Sequence, residues 1–208
     1  MNIIKKHLDP NQYYQEECEK TQIVLHHTVS STFHSTFSWW QETSEHVGTS
    51  YVIDKNGDIY ETFRPQYWAW HLGLGDISLE KKSIGIELVN ESHLTKRENG
   101  DMYWLDNTAK YRSIHFEKEW RGHKYWATYS QPQFFATIDL VKHLTNKFNI
   151  EKNIITHHDY DKSLVDFNGI ISHCNVRGDK TDLSPAFDLK HFNRMTFPEV
   201  KSINFTGE

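Results

Sequence analysis

Three segments of the chain end in residues that bind metals or carry protons. His26 and His27 follow the apolar run Ile23-Val24-Leu25. His157 and His158 follow Ile154-Ile155-Thr156, and Asp182 closes Gly178-Asp179-Lys180-Thr181-Asp182. Two imidazoles and one carboxylate suit a catalytic zinc that keeps its fourth position open for water. Ligands at the ends of neighbouring strands converge at one sheet edge, where open α/β sheets hold their sites. The spacing alone does not single out a metal, because the chain carries fourteen histidines. Adjacent residues of a strand face opposite ways, so only one of each histidine pair can reach a shared ion. Glu87 lies in the apolar segment Ser83-Ile84-Gly85-Ile86-Glu87-Leu88-Val89. A carboxylate on such a strand is expensive to bury, which favours a functional role. His173 reads as a solvated loop histidine before Lys180.

The elements that must position these residues read as follows. Gln22–Leu25 is a short strand ending in the first histidine pair. Phe33, Phe37 and Trp40 recur at helical spacing behind Ser31 and Thr32, which predicts a helix over about residues 33 to 45 with an aromatic face. Tyr51–Glu61 carries Asn56-Gly57 between two β-like runs, the signal of a hairpin with a type I′ turn. Residues 83 to 89 form a strand apolar on both faces, hence a central one. Ser130 and Gln133 look like a capping box for a long helix over about 131 to 147. Asn153–Thr156 is a short strand, a loop follows, and Pro185–Lys190 opens a last helix. Strands alternating with helices predict an α/β fold, a central mixed β-sheet flanked by helices. Residues 91 to 130 are polar with scattered aromatic rings and read as an irregular insertion into a single domain spanning 1–208.

Composition sets the limits. With 37% apolar and 14% aromatic residues the chain can bury a core. A formal charge of -5 gives no reason to expect nucleic acid as a partner. Two cysteines far apart, Cys18 and Cys174, make no disulfide framework and fit a reducing compartment. The apolar run near the N-terminus is too short for a signal-peptide core, and no stretch is long enough to insert in a membrane. The expectation is a monomer made in the cytoplasm and, if it acts on a cell wall, delivered there by another route.

Five motifs in order resemble the type 2 N-acetylmuramoyl-L-alanine amidases. This family includes phage lysozyme-type amidases, anhydro-muropeptide amidases and peptidoglycan recognition proteins. The motifs are Leu25-His26-His27-Thr28, Trp70-His71-Leu72-Gly73, Ser83–Glu87, Thr156-His157-His158-Asp159 and Lys180–Phe187, together spanning about residues 22 to 192. The resemblance implies Zn2+ held by His26, His157 and Asp182, with Glu87 as general base and Lys180 facing the developing oxyanion. It places His71, Trp70 and Thr49 along the substrate cleft, Thr49 where the phage group has a tyrosine. The implied reaction cuts the amide between the lactyl group of N-acetylmuramic acid and L-alanine, in peptidoglycan or a soluble muropeptide. A phage endolysin is the expected setting, and cytosolic muropeptide recycling the other. Leu183-Ser184 replaces the family's usual Pro-Gly, and residues 91 to 130 lie outside the resemblance. A binding module of the same fold would lack a metal ligand, and a different zinc hydrolase would show His-Glu-x-x-His or Cys-x-x-Cys, which this chain does not have.

Overall fold

A computed structural model describes residues 1–105, 109–111 and 115–199. A six-stranded mixed sheet is built from β1 (Ile3–Lys5), β2 (Gln22–His27), β3 (Tyr51–Ile53), β4 (Ile59–Glu61), β5 (Ser83–Leu88) and β11 (Gly169–Ser172), in the order β1-β4-β3-β5-β2-β11. β5 runs parallel to both β2 and β3, and β11 runs parallel to β2. β5 therefore sits at the centre, as its two-sided apolar pattern predicts.

Period-two alternation sends the two faces of these strands to different cores. Ile23 and Leu25 of β2 join Ile84, Ile86 and Leu88 of β5 under α3 (Gln131–Phe148) and α5 (Leu189–Thr196). The other face holds Val24, His26, Gly85 and Glu87, and its apolar part packs under α1 (Phe33–Glu42) and the loops beside it. α1 begins at the predicted place, with the Thr32 side chain accepting from Ser35 N, and buries Phe33 and Trp40. At α3, Ser130 caps Gln133 N as expected. The Gln133 side chain does not close a capping box. It donates instead to the Ile53 and Val89 carbonyls at 2.9 and 3.0 Å, which ties the helix to the sheet.

Three expectations are corrected. The Tyr51–Glu61 hairpin forms, but only Gly57 (φ +89°) takes a left-handed conformation, and Gly57 N donates to Asp54 O at 2.9 Å. This is a type I turn closed by a glycine bulge, stabilised by Asn56 Oδ1 accepting from Asp58 N at 3.0 Å. The segment 153–156 is not a strand; Ile154 makes a single bridge to Ile170, and the true edge strand is β11. The described residues between 91 and 130 are not irregular. They contain a second, five-stranded antiparallel sheet of β6 (His93–Lys96), β7 (Met102–Trp104), β8 (Ala109–Tyr111), β9 (His115–Trp120) and β10 (His123–Ala127). Its core is small, with Leu94, Met102 and Ala127 at the centre, so its strands lack the apolar runs by which strands are usually recognised. Among the described residues, no helix is long and apolar enough to cross a membrane.

Candidate functional site

The register of the parallel strands builds the site. His26 is paired with Glu87 across β2 and β5, one residue before both strands end. Ser172 is level with Leu25, so the next residue, His173, arrives beside His26 at the same strand ends. His173 opens the short helix α4 (His173–Val176), and the chain returns through Lys180 to Asp182, whose carbonyl accepts from Cys174 N at 2.6 Å. The result is a buried trio of His26, His173 and Asp182, with donor atoms within 4.8 Å of one another.

His157 is not in this trio. The bridge from Ile154 to Ile170 puts residues 154–157 outside β11, a full strand away from β2. His157 lies instead in a separate cavity of about 390 Å³ with Phe116, Trp120 and Phe187, and its Nδ1 accepts from Asp159 N at 3.2 Å. The structure thus places His157 outside the trio and brings His173, which is 4% exposed and not a solvated loop residue, to the position expected for it. The missed signal was the apolar tetrad Gly169–Ser172 directly before His173, the same strand-then-histidine pattern as at His26.

Hydrogen bonds behind the trio set the ring tautomers. The Leu72 carbonyl can only accept, so His173 donates to it from Nε2 at 2.9 Å, and in the neutral ring this tautomer leaves Nδ1 free as a ligand. Ser83 gives its single hydroxyl proton to the Leu79 carbonyl at 2.9 Å, so it accepts from His71 Nε2, also at 2.9 Å. His71 Nδ1 then accepts from His26 Nε2 at 3.0 Å, which leaves His26 Nδ1 bare as well. Both bare nitrogens face Asp182 Oδ2, at 3.1 and 3.0 Å, and each other at 3.1 Å. Three lone pairs converging without a proton among them suit a cation, and nitrogen and carboxylate donors suit zinc. Burial pushes the His26 pKa down to about 4, with His173 adding to the shift, and burial holds His71 well below the usual histidine value. Both rings are thus neutral, as ligation and its support require.

These residues line a cleft of about 550 Å³, with Trp39 of α1 exposed at its rim. Glu87 projects into it. Burial raises its pKa well above the usual carboxylate value, the Asp182 carboxylate raises it further, and Lys180 opposes both. Glu87 Oε2 is buried with no hydrogen-bond partner among the described residues. His27 faces the other way, its Nδ1 3.0 Å from the Tyr129 hydroxyl, as strand alternation requires.

The three residues expected along the cleft divide. His71 touches it, but with a side chain 5% exposed and both ring nitrogens taken, it stands behind His26. Thr49 lines it, buried, with its hydroxyl donated to the Tyr51 carbonyl at 2.9 Å. Trp70 does not line it; its ring packs edge-on against Trp68 at 5.7 Å. Glu80 has no counterpart in the sequence reading. Its buried carboxylate accepts from the backbone N–H groups of His71, Leu72 and Gly73, and so holds both the His71 ring and the Leu72 carbonyl in place.

Residues 19–185 match the family model described as N-acetylmuramoyl-L-alanine amidase. A mutant endolysin from Bacillus subtilis has a similar structure, with TM-score 0.60 at 15% identity over 94% of this chain and 99% of that one. The catalytic domain of XlyA gives 0.58 at 16% identity, covering 94% and 99%. AmiD from E. coli, solved with anhydro-N-acetylmuramic acid-L-Ala-D-gamma-Glu-L-Lys, gives 0.58 at 20% identity, covering 86% and 58%. At these identities the likeness is one of fold. No curated protein sequence matches the chain. The family model covers both β2 with His26 and the loop with Lys180 and Asp182, and over this span the chain belongs to the N-acetylmuramoyl-L-alanine amidase family.

Proposed function

We infer that this protein hydrolyses the amide between the lactyl group of N-acetylmuramic acid and L-alanine in peptidoglycan, using zinc held by His26, His173 and Asp182. The observation that carries this reading is the meeting of two bare imidazole nitrogens and one carboxylate oxygen in an open cleft beside Glu87. Zinc bound there would polarise the scissile carbonyl and lower the pKa of a bound water toward about 7. Glu87, buried and facing the same cleft, takes a proton from the attacking water and returns it to the leaving amine. Lys180, also in the cleft lining, brings a cation to the side where the oxyanion develops. Asp182 stays ionised as a ligand, and the His71–Ser83 relay keeps His26 in the ligating tautomer.

The fold shared with endolysins favours intact cell wall as the substrate, and the AmiD complex with a muropeptide gives the soluble alternative. The test supplies zinc-loaded protein with purified sacculi and, separately, with a soluble anhydro-muropeptide. Mass spectrometry then looks for free peptides beginning with L-alanine. Release that disappears in both His173→Ala and Glu87→Gln supports the reading. Release from the soluble substrate alone selects the recycling role. No release from either, with zinc bound, would replace the enzyme with a peptidoglycan-binding module.

A further inference from the structure

The tip of the second sheet reaches the loop between His173 and Asp182 through Arg121. β9 and β10 are joined at Arg121-Gly122, both with positive φ (+48° and +78°), so the hairpin turns within two residues and presents Arg121 at its tip. The guanidinium donates from one terminal nitrogen to the Arg177 carbonyl at 3.0 Å and to the Lys180 carbonyl, and from the other to the Cys174 carbonyl at 3.0 Å. All three carbonyls lie on the ten-residue path from His173 to Asp182. Cys174 is the second residue of the four-residue helix α4, and Arg177 is its C-cap, whose carbonyl also accepts from Lys180 N at 3.2 Å. The fork of donors in a guanidinium suits this task, and a positive charge suits a helix C-terminus.

The arginine is itself held. Its guanidinium carbon lies 4.5 Å from the centre of the Trp120 ring, which packs at 5.6 Å on the fully buried Trp126. The root of the insertion makes a second contact with the same loop, Ser92 Oγ to Thr181 Oγ1 at 3.3 Å. Asn90 anchors that root by donating to the Ala127 and Thr128 carbonyls at 3.3 and 3.2 Å.

We propose that Arg121 is a positioning residue for hydrolysis. By clamping the carbonyls of Cys174, Arg177 and Lys180, it places the Lys180 ammonium and the Asp182 carboxylate in the cleft, and the inserted sheet is the frame that carries it. The catalytic part of this assignment rests on the amidase reading, and the positional part does not. Misplacing a catalytic group by about 1 Å can cost 10²-fold in rate, so a clamp on the loop carrying two such groups has leverage without touching substrate.

The test compares wild type, Arg121→Lys and Arg121→Ala by hydrogen exchange, zinc competition with a chelator, and kinetics on soluble muropeptide. A melt of each variant identifies any global loss of fold. In Arg121→Ala the amides of residues 174–182 should exchange about tenfold faster or more, while those of β2 and β5 keep their protection. kcat should fall by about 10²-fold with KM changing much less. Arg121→Lys keeps the charge without the fork and should lie between the two. Unchanged exchange over 174–182 in a folded Arg121→Ala protein overturns the proposal, whatever the activity. If wild type cleaves neither sacculi nor soluble muropeptide, the amidase reading fails, and the exchange result still decides whether Arg121 holds the loop.

Discussion

His71 stands directly behind His26, its Nδ1 accepting from His26 Nε2 at 3.0 Å while its own Nε2 donates to Ser83. Partners in this position orient a ligating ring, and their loss typically weakens metal binding by about 10–100-fold. His71→Phe keeps the ring volume and removes the acceptor, so zinc affinity should fall within that range. Chelator competition measures it; wild-type affinity in the variant would mean that the relay does not orient His26.

The exchange of His157 for His173 as ligand is decided by metal content. After dialysis against a weak chelator, His157→Ala should retain one zinc per chain and His173→Ala should lose it. Metal quantified by plasma mass spectrometry gives the answer, and the reverse pattern would restore His157.

Gly85 leaves room for the relay. A Cβ added there would lie 2.6 Å from Thr49 Cγ2 and 3.2 Å from His71 Nδ1. Thr49 is buried with its hydroxyl engaged, so its methyl has little freedom to move away. Gly85→Ala should destabilise the protein by about 1–3 kcal/mol, as overpacking of a tight core does. Urea unfolding measures this, and a loss below roughly 0.5 kcal/mol would show that the site adapts.

Acid should weaken the metal-free protein through His27. Burial pushes its pKa down to about 4, against about 6.5 in an unfolded chain. Between these values the unfolded chain binds the extra proton, so stability is lost as pH falls from about 6.5 to 4. For this one group the loss from pH 7 to pH 5 is about 2 kcal/mol. His27→Gln should reduce the difference in urea midpoint between those two pH values, and an unchanged difference would remove His27 from the account.

The two thiols should differ in reactivity. Cys174 is fully buried and burial raises its pKa, whereas Cys18 is partly accessible. A thiol reagent at pH 8 should label one cysteine in the native protein and both after denaturation, located by peptide mapping. Native labelling of Cys174 would mean that the loop after His173 opens readily.

Local patterns were enough to read β2, β5, α1 and α3, because each carries its own signal: an apolar run, a helical stripe or a side-chain cap. The same patterns drew attention to His26 and Glu87, while Lys180 and Asp182, in a polar loop, were singled out by the family's motif. Bringing His173, and not His157, beside His26 was the work of the sheet. Both follow short apolar stretches, and only strand order and register place Ser172 beside Leu25 while Ile154 stays outside β11. The His71–Ser83 relay, the Glu80 anchor and the Arg121 clamp were also invisible in the sequence. Each joins segments through hydrogen bonds to backbone or ring atoms, and such bonds leave no periodicity along a chain. The second sheet went unread for a related reason: among the described residues its strands bury few side chains, and the tertiary pairing of β6 with β10 and β10 with β9 supplies the order that their composition does not announce.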